Sequence, residues 1–172
     1  MIRIVKFFFL SILILFGVLT AFSLIFSPRL LISRSINVGA SREKVEEAVN
    51  DLRNWDKWNV LVRTTPLTGK TFSSPASGKG AFLHSDQLAL EITTSSPDSV
   101  ALDWRLSNGK RFEGGYNILR DGGDSITVQS WLYFHFRWYP WEKLGSLVYD
   151  KKFGPLMEGS LRDLKHYLEK TP

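Results

Sequence analysis

Three side chains in the central part of the chain have the chemistry for acid–base catalysis: Arg105, Glu113 and His135. An imidazole with an ordinary pKa of about 6.5 can donate or accept a proton near neutral pH, and the other two groups could join it around a carbonyl-bearing molecule. All three, however, stand on the polar side of segments in which apolar and polar residues alternate. That parity favours solvent-facing positions over a shared site inside a cavity.

Other arrangements that resemble catalytic motifs are incomplete. Thr68–Thr71 reads Thr-Gly-Lys-Thr, like the end of a phosphate-binding loop, but the first glycine of such a loop falls at Thr64. Ser41 and Lys44 have Ser-x-x-Lys spacing without the companion motifs, and Ser41 is better explained as a helix cap. The chain has no cysteine and only three scattered histidines. We therefore expect no disulfide, no metal site and no cofactor.

A second group of residues is aromatic and could line a binding site for a hydrophobic molecule. In residues 131–141, seven of eleven residues are aromatic. Since only one face of a strand points into the core, the surplus face could pack under a helix or loop, lie at lipid headgroup level, or meet a partner. The inward side chains are predicted walls of a cavity, although a solid aromatic core would give the same pattern. The predicted ligand-binding residues are Trp58, Trp104, Phe112, Tyr116, Phe134, Phe136 and Trp138.

The periodicity of the sequence predicts the elements that position these residues. A first strand over residues 30–38 leads into a helix capped by Ser41, and Trp55 and Trp58 then share one face of a short helical turn. From Val60 to Tyr139 apolar and polar residues alternate between turn signals spaced by about ten residues. This pattern predicts an antiparallel meander with one apolar face.

The C-terminal segment is the predicted cover for that face. Met157, Leu161 and Leu164 recur at the spacing of an amphipathic helix. An earlier apolar stripe at residues 144–148 is expected to end at a Gly154–Pro155 break. The predicted architecture is therefore α+β, with a curved antiparallel sheet wrapped around a long C-terminal helix.

The N-terminal segment is apolar enough to cross a membrane. Phe7–Phe26 is a run of twenty residues without a charge, and at ~1.5 Å per residue it would span the ~30 Å hydrocarbon core of a bilayer. A cleaved signal peptide is the alternative, because Arg3 and Lys6 precede the run. The run exceeds the usual apolar region of a signal peptide, about 7 to 15 residues. We predict a transmembrane anchor over residues 1–28 and a separate domain over residues 29–172.

The charge distribution agrees with contact to a membrane rather than to nucleic acid. Four of the 22 basic residues lie in the first 34 positions, and no acidic residue does. The rest of the chain therefore has 18 basic and 17 acidic residues. The folded domain is therefore nearly neutral, and we expect no nucleic-acid partner. The short basic tail before the apolar run favours a domain outside the cytoplasm, although the positive-inside rule does not decide the orientation.

Residues at both ends of this succession resemble a known superfamily. Ala40–Val45 and Val49–Trp58 are similar to the first helix and the tryptophan-bearing turn of START-like (SRPBCC) helix-grip proteins, in particular the polyketide cyclase/dehydrase and lipid-transport group. Phe153–Pro155 and Gly159–Lys165 look like the C-terminal helix of that group. The resemblance covers residues 31–169 and implies a cavity between sheet and helix that holds an apolar or amphipathic ligand. Where relatives often continue with a Ser-Pro-Trp-like turn, this chain has Asn-Val-Leu, which implies a different cavity mouth.

The anchor and the resemblance together predict a membrane-anchored protein that binds a hydrophobic, lipid- or polyketide-like molecule, with no demonstrable catalysis. Its expected partners are that molecule and the cell membrane, which the anchor crosses once. Two alternatives make different structural predictions. A cyclase, dehydrase or hydrolase would bring His135, Glu113 and Arg105 together inside the cavity. A protein-interaction module without a pocket would fill the space under the helix with large side chains.

Overall fold

The computed structural model describes residues 2–25, 27–66, 68–120, 126–137 and 139–170. The helices in these residues are α1 (Ile2–Ser23), α2 (Arg42–Asn50), α3 (Trp55–Trp58), α4 (Val60–Thr64) and α5 (Pro140–Lys170), with a 3-10 turn at Leu52–Asn54. The strands are β1 (Arg29–Val38), β2 (Thr71–Phe72), β3 (Phe82–His84), β4 (Leu88–Ser96), β5 (Ser99–Leu106), β6 (Arg111–Arg120) and β7 (Ile126–His135).

The strands form one antiparallel sheet in the order β1-β7-β6-β5-β4-β3-β2. Strands β2 to β7 follow one another as neighbours, so the predicted meander is confirmed. β1 pairs along its whole length with the last strand, from Arg29 opposite His135 to Val38 opposite Ile126. Helices α2 to α4 are inserted between β1 and β2, and α5 ends the chain. The predicted α+β helix-grip architecture is confirmed.

The alternation of apolar and polar residues decides which face of the sheet the helices cover. In β7 every second residue from Ile126 to Phe134 is buried, and in β5 the buried residues are Val100, Leu102 and Trp104. α5 covers this face with the predicted stripe of Met157, Leu161, Leu164 and Leu168. Each fully buried aliphatic side chain of this kind stabilises the fold by about 1.5–3 kcal/mol relative to exposure.

The expected break at Gly154–Pro155 is wrong, because α5 runs without interruption through both residues. Proline removes one helical hydrogen bond and crowds the preceding turn, and burial of Met157, Leu161 and Leu164 beyond it offsets that cost. Arg34 of β1 bridges the proline, with Nη2 2.9 Å from Asp150 Oδ1 before it and Nε 2.8 Å from Glu158 Oε1 after it. The absent side chain of Gly154 makes room for the guanidinium, since a Cβ there would lie 2.8 Å from Arg34 Nη2.

Residues 60–64 are a second departure from the expected meander. They form α4 instead of extended chain, and Asn59 caps this helix by accepting a hydrogen bond from Val62 N at 3.1 Å. Val60 and Val62 alternate like strand residues, and a helix of a single turn is too short to show a competing period of 3.6 residues. α4 then packs against α5, where Val60 N donates to Ser160 Oγ at 2.8 Å.

α1 is both long enough and apolar enough to cross a membrane, over residues Arg3–Ser23. Length and composition alone fit a membrane span and a signal sequence equally well. Its side chains from Arg3 to Leu19 are exposed, and its last turn contacts the beginning of α5, where Lys143 Nζ donates to Ser23 O at 3.3 Å. A buried lysine at this point complements the negative end of the α1 dipole. Phe26, the predicted end of the apolar run, lies outside the described residues.

Candidate ligand-binding cavity

An open cavity of about 760 Å³ lies between the sheet and the first half of α5. Its walls come from the β5–β6 turn, the end of β7 with the residues that follow it, and α5 between Trp141 and Phe153. The turn bends at Gly109, whose φ of +78° suits glycine. On α5, Gly145 contributes no side chain, and a Cβ there would meet no heavy atom of the described residues within 4 Å. The cavity is therefore open at two positions, Gly109 and Gly145, where no side chain projects.

Five aromatic side chains form the floor of this cavity. They are Phe112, Phe134, Phe136, Tyr149 and Phe153. The ring centroids of Phe134 lie 4.9 Å from Phe112, 4.9 Å from Tyr149 and 5.0 Å from Phe153. Phe136 joins the group through Tyr149, at 5.0 Å with the rings perpendicular. The floor is thus one contiguous aromatic surface contributed by β6, β7, α5 and the residue after β7.

The rim of the cavity is basic. Lys110, Arg111, Arg137 and Lys152 line it, with Glu142 as the single acidic side chain. Lys110 Nζ donates to Tyr149 Oη at 3.1 Å, and Lys152 Nζ lies 5.6 Å from the centre of the Phe153 ring. Both ammonium groups therefore sit where the rim meets the aromatic floor. Glu142 Oε2 accepts a hydrogen bond from the backbone N–H of Arg137 at 2.8 Å.

The space under the middle of α5 is almost filled. A void of about 20 Å³ remains there, bordered by Trp104, Tyr116 and Met157 among others. The ring of Trp55 lies 5.2–5.9 Å between centroids from the rings of Trp58, Trp104 and Tyr116, and Trp58 lies 5.4 Å from Tyr116. A void of that size holds about one water molecule. The centre of the domain is therefore an aromatic core, and the space for a larger molecule lies at one end.

This core contains polar groups that need partners. Asn59 Nδ2 donates to the Tyr116 hydroxyl at 3.0 Å, and that hydroxyl is also hydrogen-bonded to Ser130. Burial raises the pKa of the Tyr116 phenol far above its ordinary value, so it stays protonated. The indole N–H groups of Trp58 and Trp104 are buried without a hydrogen-bond partner among the described residues. A buried donor without a partner costs about 1–3 kcal/mol.

The structure divides the predicted ligand-binding residues into three groups. Phe112, Phe134 and Phe136 line the open cavity. Trp104 and Tyr116 border the small central void. Trp58 is fully buried in the aromatic core and borders neither space, and Trp138 lies outside the described residues.

The three acid–base candidates do not converge in the cavity. Arg105 is exposed on the outer face of the sheet and pairs with Asp103 at 2.8 Å and Glu91 at 3.6 Å. Glu113 and His135 are also exposed, and both border a shallow hollow on that outer face. Of the three, only His135 also reaches the edge of the open cavity. The arrangement brings a carboxylate and an imidazole to one outer surface without enclosing a reacting molecule.

Sequence reasoning missed the basic rim and two members of the floor, Tyr149 and Phe153. The net charge of the domain is close to zero, so composition gave no sign of a local basic cluster. The four cations come from the β5–β6 turn, the first residue of β6, the residues after β7, and α5, which only the fold brings together. The one local signal is the Lys110-Arg111 pair beside the Asn-Gly turn.

A curved antiparallel sheet that grips a C-terminal helix, with a cavity between the two, defines the START-like helix-grip class of proteins. The family described as polyketide cyclase / dehydrase and lipid transport matches residues 29–169. The chain belongs to this family. No curated protein matches the sequence.

Solved structures with the same fold include the following three proteins. Truncated norcoclaurine synthase from Thalictrum flavum has a TM-score of 0.58 and 13% identity, covering 84% of this chain and 95% of that one. CalU16 from Micromonospora echinospora has a TM-score of 0.55 and 13% identity, covering 84% of each chain. DynU16, from the dynemicin biosynthetic locus, has a TM-score of 0.55 and 22% identity over 81% of this chain. The match covers 47% of DynU16, about half its length. At these identities the likeness shows the fold alone.

Proposed function

We propose that this protein is a membrane-anchored binding protein for a hydrophobic small molecule of lipid or polyketide type, and that the molecule occupies the open cavity. The aromatic floor is the observation that carries the proposal. Small-molecule sites are typically concave, mostly apolar and about 300–1,000 Å³ in size, and this cavity of about 760 Å³ falls in that range. Membership of a family that includes lipid transport supports the same function.

Removal of apolar surface from water supplies the affinity. Each 100 Å² of apolar surface that the ligand and the floor bury together contributes about 2.5 kcal/mol, before the costs of immobilising the ligand. Phe112, Phe134 and Phe136 make the contacts. Trp104 supports the floor from the core side, because its ring stacks on Phe112 with 5.7 Å between centroids and 14° between planes. Trp58 and Tyr116 hold that layer in place from the aromatic core.

The proposed anchor is residues 1–28, and the binding domain is residues 29–172 on the outer side of the cell membrane. The contact between Lys143 and the end of α1 supports a cavity close to the anchor, whichever side of the membrane the domain occupies, because residues 141–153 of α5 also form one wall of the cavity. The exposed Trp141 stacks on Tyr139 at 5.1 Å beside the same contact, and aromatic residues of this kind favour the headgroup region of a bilayer. The cavity would then lie close to membrane-dissolved ligand.

A cavity-filling substitution tests this function. In Gly145→Phe a large ring would project into open space, whereas Gly145→Ala adds only a methyl group at the same position. The full chain is extracted in mild detergent and measured by native mass spectrometry, followed by lipid extraction. We expect one hydrophobic molecule per chain in the wild type and in Gly145→Ala, and loss of that molecule in Gly145→Phe.

Folding is checked separately by circular dichroism and thermal unfolding of the three proteins. The open surroundings of Gly145 predict that both variants fold, since nothing within 4 Å has to move for a Cβ. Equal ligand stoichiometry in the wild type and in a folded Gly145→Phe variant would place the ligand elsewhere and contradict the proposal. A wild-type chain that carries no hydrophobic molecule, even after incubation with lipid extract, would contradict it as well.

A further inference from the structure

We infer that the ligand of this cavity is an anionic amphiphile, a molecule with an apolar chain and a carboxylate or phosphate head. The apolar chain lies on the aromatic floor, and the head is bound by the basic rim. The inference rests on the proposed function, because it names the chemical class that the same cavity accepts.

The rim has a strong excess of positive charge. Among its described residues, the rim has four cationic side chains and one carboxylate. The cations are Lys110, Arg111, Arg137 and Lys152, and the carboxylate is that of Glu142. The remainder of the domain has nearly equal numbers of acidic and basic residues, so this imbalance is local. A cluster of one sign around a low-dielectric concavity concentrates the potential there and attracts the opposite charge.

Within the described residues, these four cations are not neutralised by carboxylate partners. None of them forms an ion pair with an acidic side chain there. Glu142 already accepts the backbone N–H of Arg137. Apart from the hydrogen bond from Lys110 to Tyr149, the guanidinium and ammonium groups of the rim can therefore donate to an outside anion. Charge-assisted hydrogen bonds of this type are the strong ones.

The two lysines are held where an amphiphile changes from apolar to charged. Lys110 Nζ lies 3.1 Å from Tyr149 Oη and 5.4 Å from the centre of that ring, and Lys152 Nζ lies 5.6 Å from the centre of the Phe153 ring. The aromatic contacts cover the lysine stems and orient the ammonium groups along the edge of the floor. A small inorganic anion would use the rim alone, and a neutral hydrocarbon would use the floor alone. An anionic amphiphile uses both.

The test compares a charged and an uncharged ligand of the same shape. The full chain is placed in phosphatidylcholine nanodiscs, with empty nanodiscs as the partition baseline. The probes are dansylamino-undecanoic acid and its methyl ester, whose fluorescence rises on entering an apolar site. The variants are Lys110→Met plus Lys152→Met, which keeps the apolar stems, and Lys79→Met as a control on an exposed loop away from the cavity.

We expect the wild type to bind the acid at least tenfold more tightly than the ester, and added salt to reduce this preference. The double variant should lose at least tenfold in affinity for the acid and less than twofold for the ester, and Lys79→Met should leave both unchanged. Equal affinity for acid and ester would overturn the inference and leave the proposed function standing. Competition by acetate as effective as competition by dodecanoate would also overturn it, because the apolar chain would then contribute nothing. Saturable binding of neither probe would overturn the proposed function itself.

Discussion

Substitution of Tyr116 by phenylalanine tests the polar network inside the aromatic core. The change removes the hydroxyl that accepts from Asn59 Nδ2 at 3.0 Å and is hydrogen-bonded to Ser130, and it leaves the ring contacts with Trp55 and Trp58 in place. Loss of one partner from a buried hydrogen bond costs about 1–3 kcal/mol. At roughly 2–4 °C per kcal/mol for a chain of this size, we expect a clear fall in the thermal midpoint of Tyr116→Phe at pH 7.

The same variant makes a prediction about alkaline pH. Burial raises the pKa of the Tyr116 phenol in the folded protein, whereas the unfolded tyrosine titrates near its ordinary value of 10.0. Above about pH 10 the unfolded chain therefore binds fewer protons than the folded chain, and stability falls by up to about 1.4 kcal/mol per pH unit. Below about pH 10 the phenol is protonated in both the folded and the unfolded chain, so the stability that the buried Tyr116 hydroxyl contributes is fully present. Phenylalanine cannot ionise, so the stability difference between wild type and variant should shrink as the pH rises above 10.

The assay is urea unfolding of the full chain in nonionic detergent, followed by tryptophan fluorescence from pH 7 to pH 11. Lysine and other groups that titrate in this range are common to both proteins and cancel in the difference between them. Tyr133→Phe is the matched control, because Tyr133 lies half-buried on the opposite face of the sheet, and we expect a change below about 0.5 kcal/mol. A Tyr116→Phe variant as stable as the wild type at pH 7, or a difference independent of pH, would refute the reasoning.

Three further substitutions test the frame that holds the cavity. Gly115→Ala should lower the thermal midpoint strongly and cost about 1–3 kcal/mol, because the added Cβ would lie 2.3 Å from the carbonyl oxygen of Val100; an unchanged midpoint would contradict the close approach of β5 and β6. Arg34→Ala should cost about 1 kcal/mol in urea unfolding, since it removes two ion pairs across Pro155, and the loss should diminish in 1 M salt; a loss independent of salt would assign the effect to packing. Ser41→Ala should cost near the lower end of the capping range, about 0.5 kcal/mol in the same assay, because the Ser41 Oγ to Lys44 N distance is 3.4 Å; a loss of 2 kcal/mol would show a larger role for Ser41 than capping.

The departures from the sequence-based expectations share a cause. The Gly154–Pro155 pair is a strong local signal for a helix end, yet α5 continues because Met157, Leu161 and Leu164 beyond it are buried under the sheet. The ion pairs of Arg34 on both sides of the proline add to this. Val60–Thr64 is rich in β-branched residues, yet it folds as a helix because Asn59 caps it, Val62 is buried and α4 packs against α5. In both cases packing against another element outweighs the local preference of the backbone.

The functional residues show the same limit. Parity correctly separates the inward Trp104, Phe112 and Phe134 from the outward Arg105 and Glu113, because successive side chains on a strand point to opposite faces. Parity does not show how deeply an inward side chain is buried. Whether an inward ring fills the core or lines open space depends on the residue that faces it from α5, and Gly145 is one such residue.

Most of the elements and their order, the buried face of each strand and the apolar N-terminal helix can be read from the sequence alone. These properties follow from hydrophobic period, capping and turn residues, which act over a few positions along the chain, and the resemblance of residues 31–169 adds the helix-grip family. The packed centre under α5, the cavity at the N-terminal half of that helix and the four cations at its rim become visible in the folded chain. These features arise where separate segments meet in space, so no short stretch of sequence encodes them.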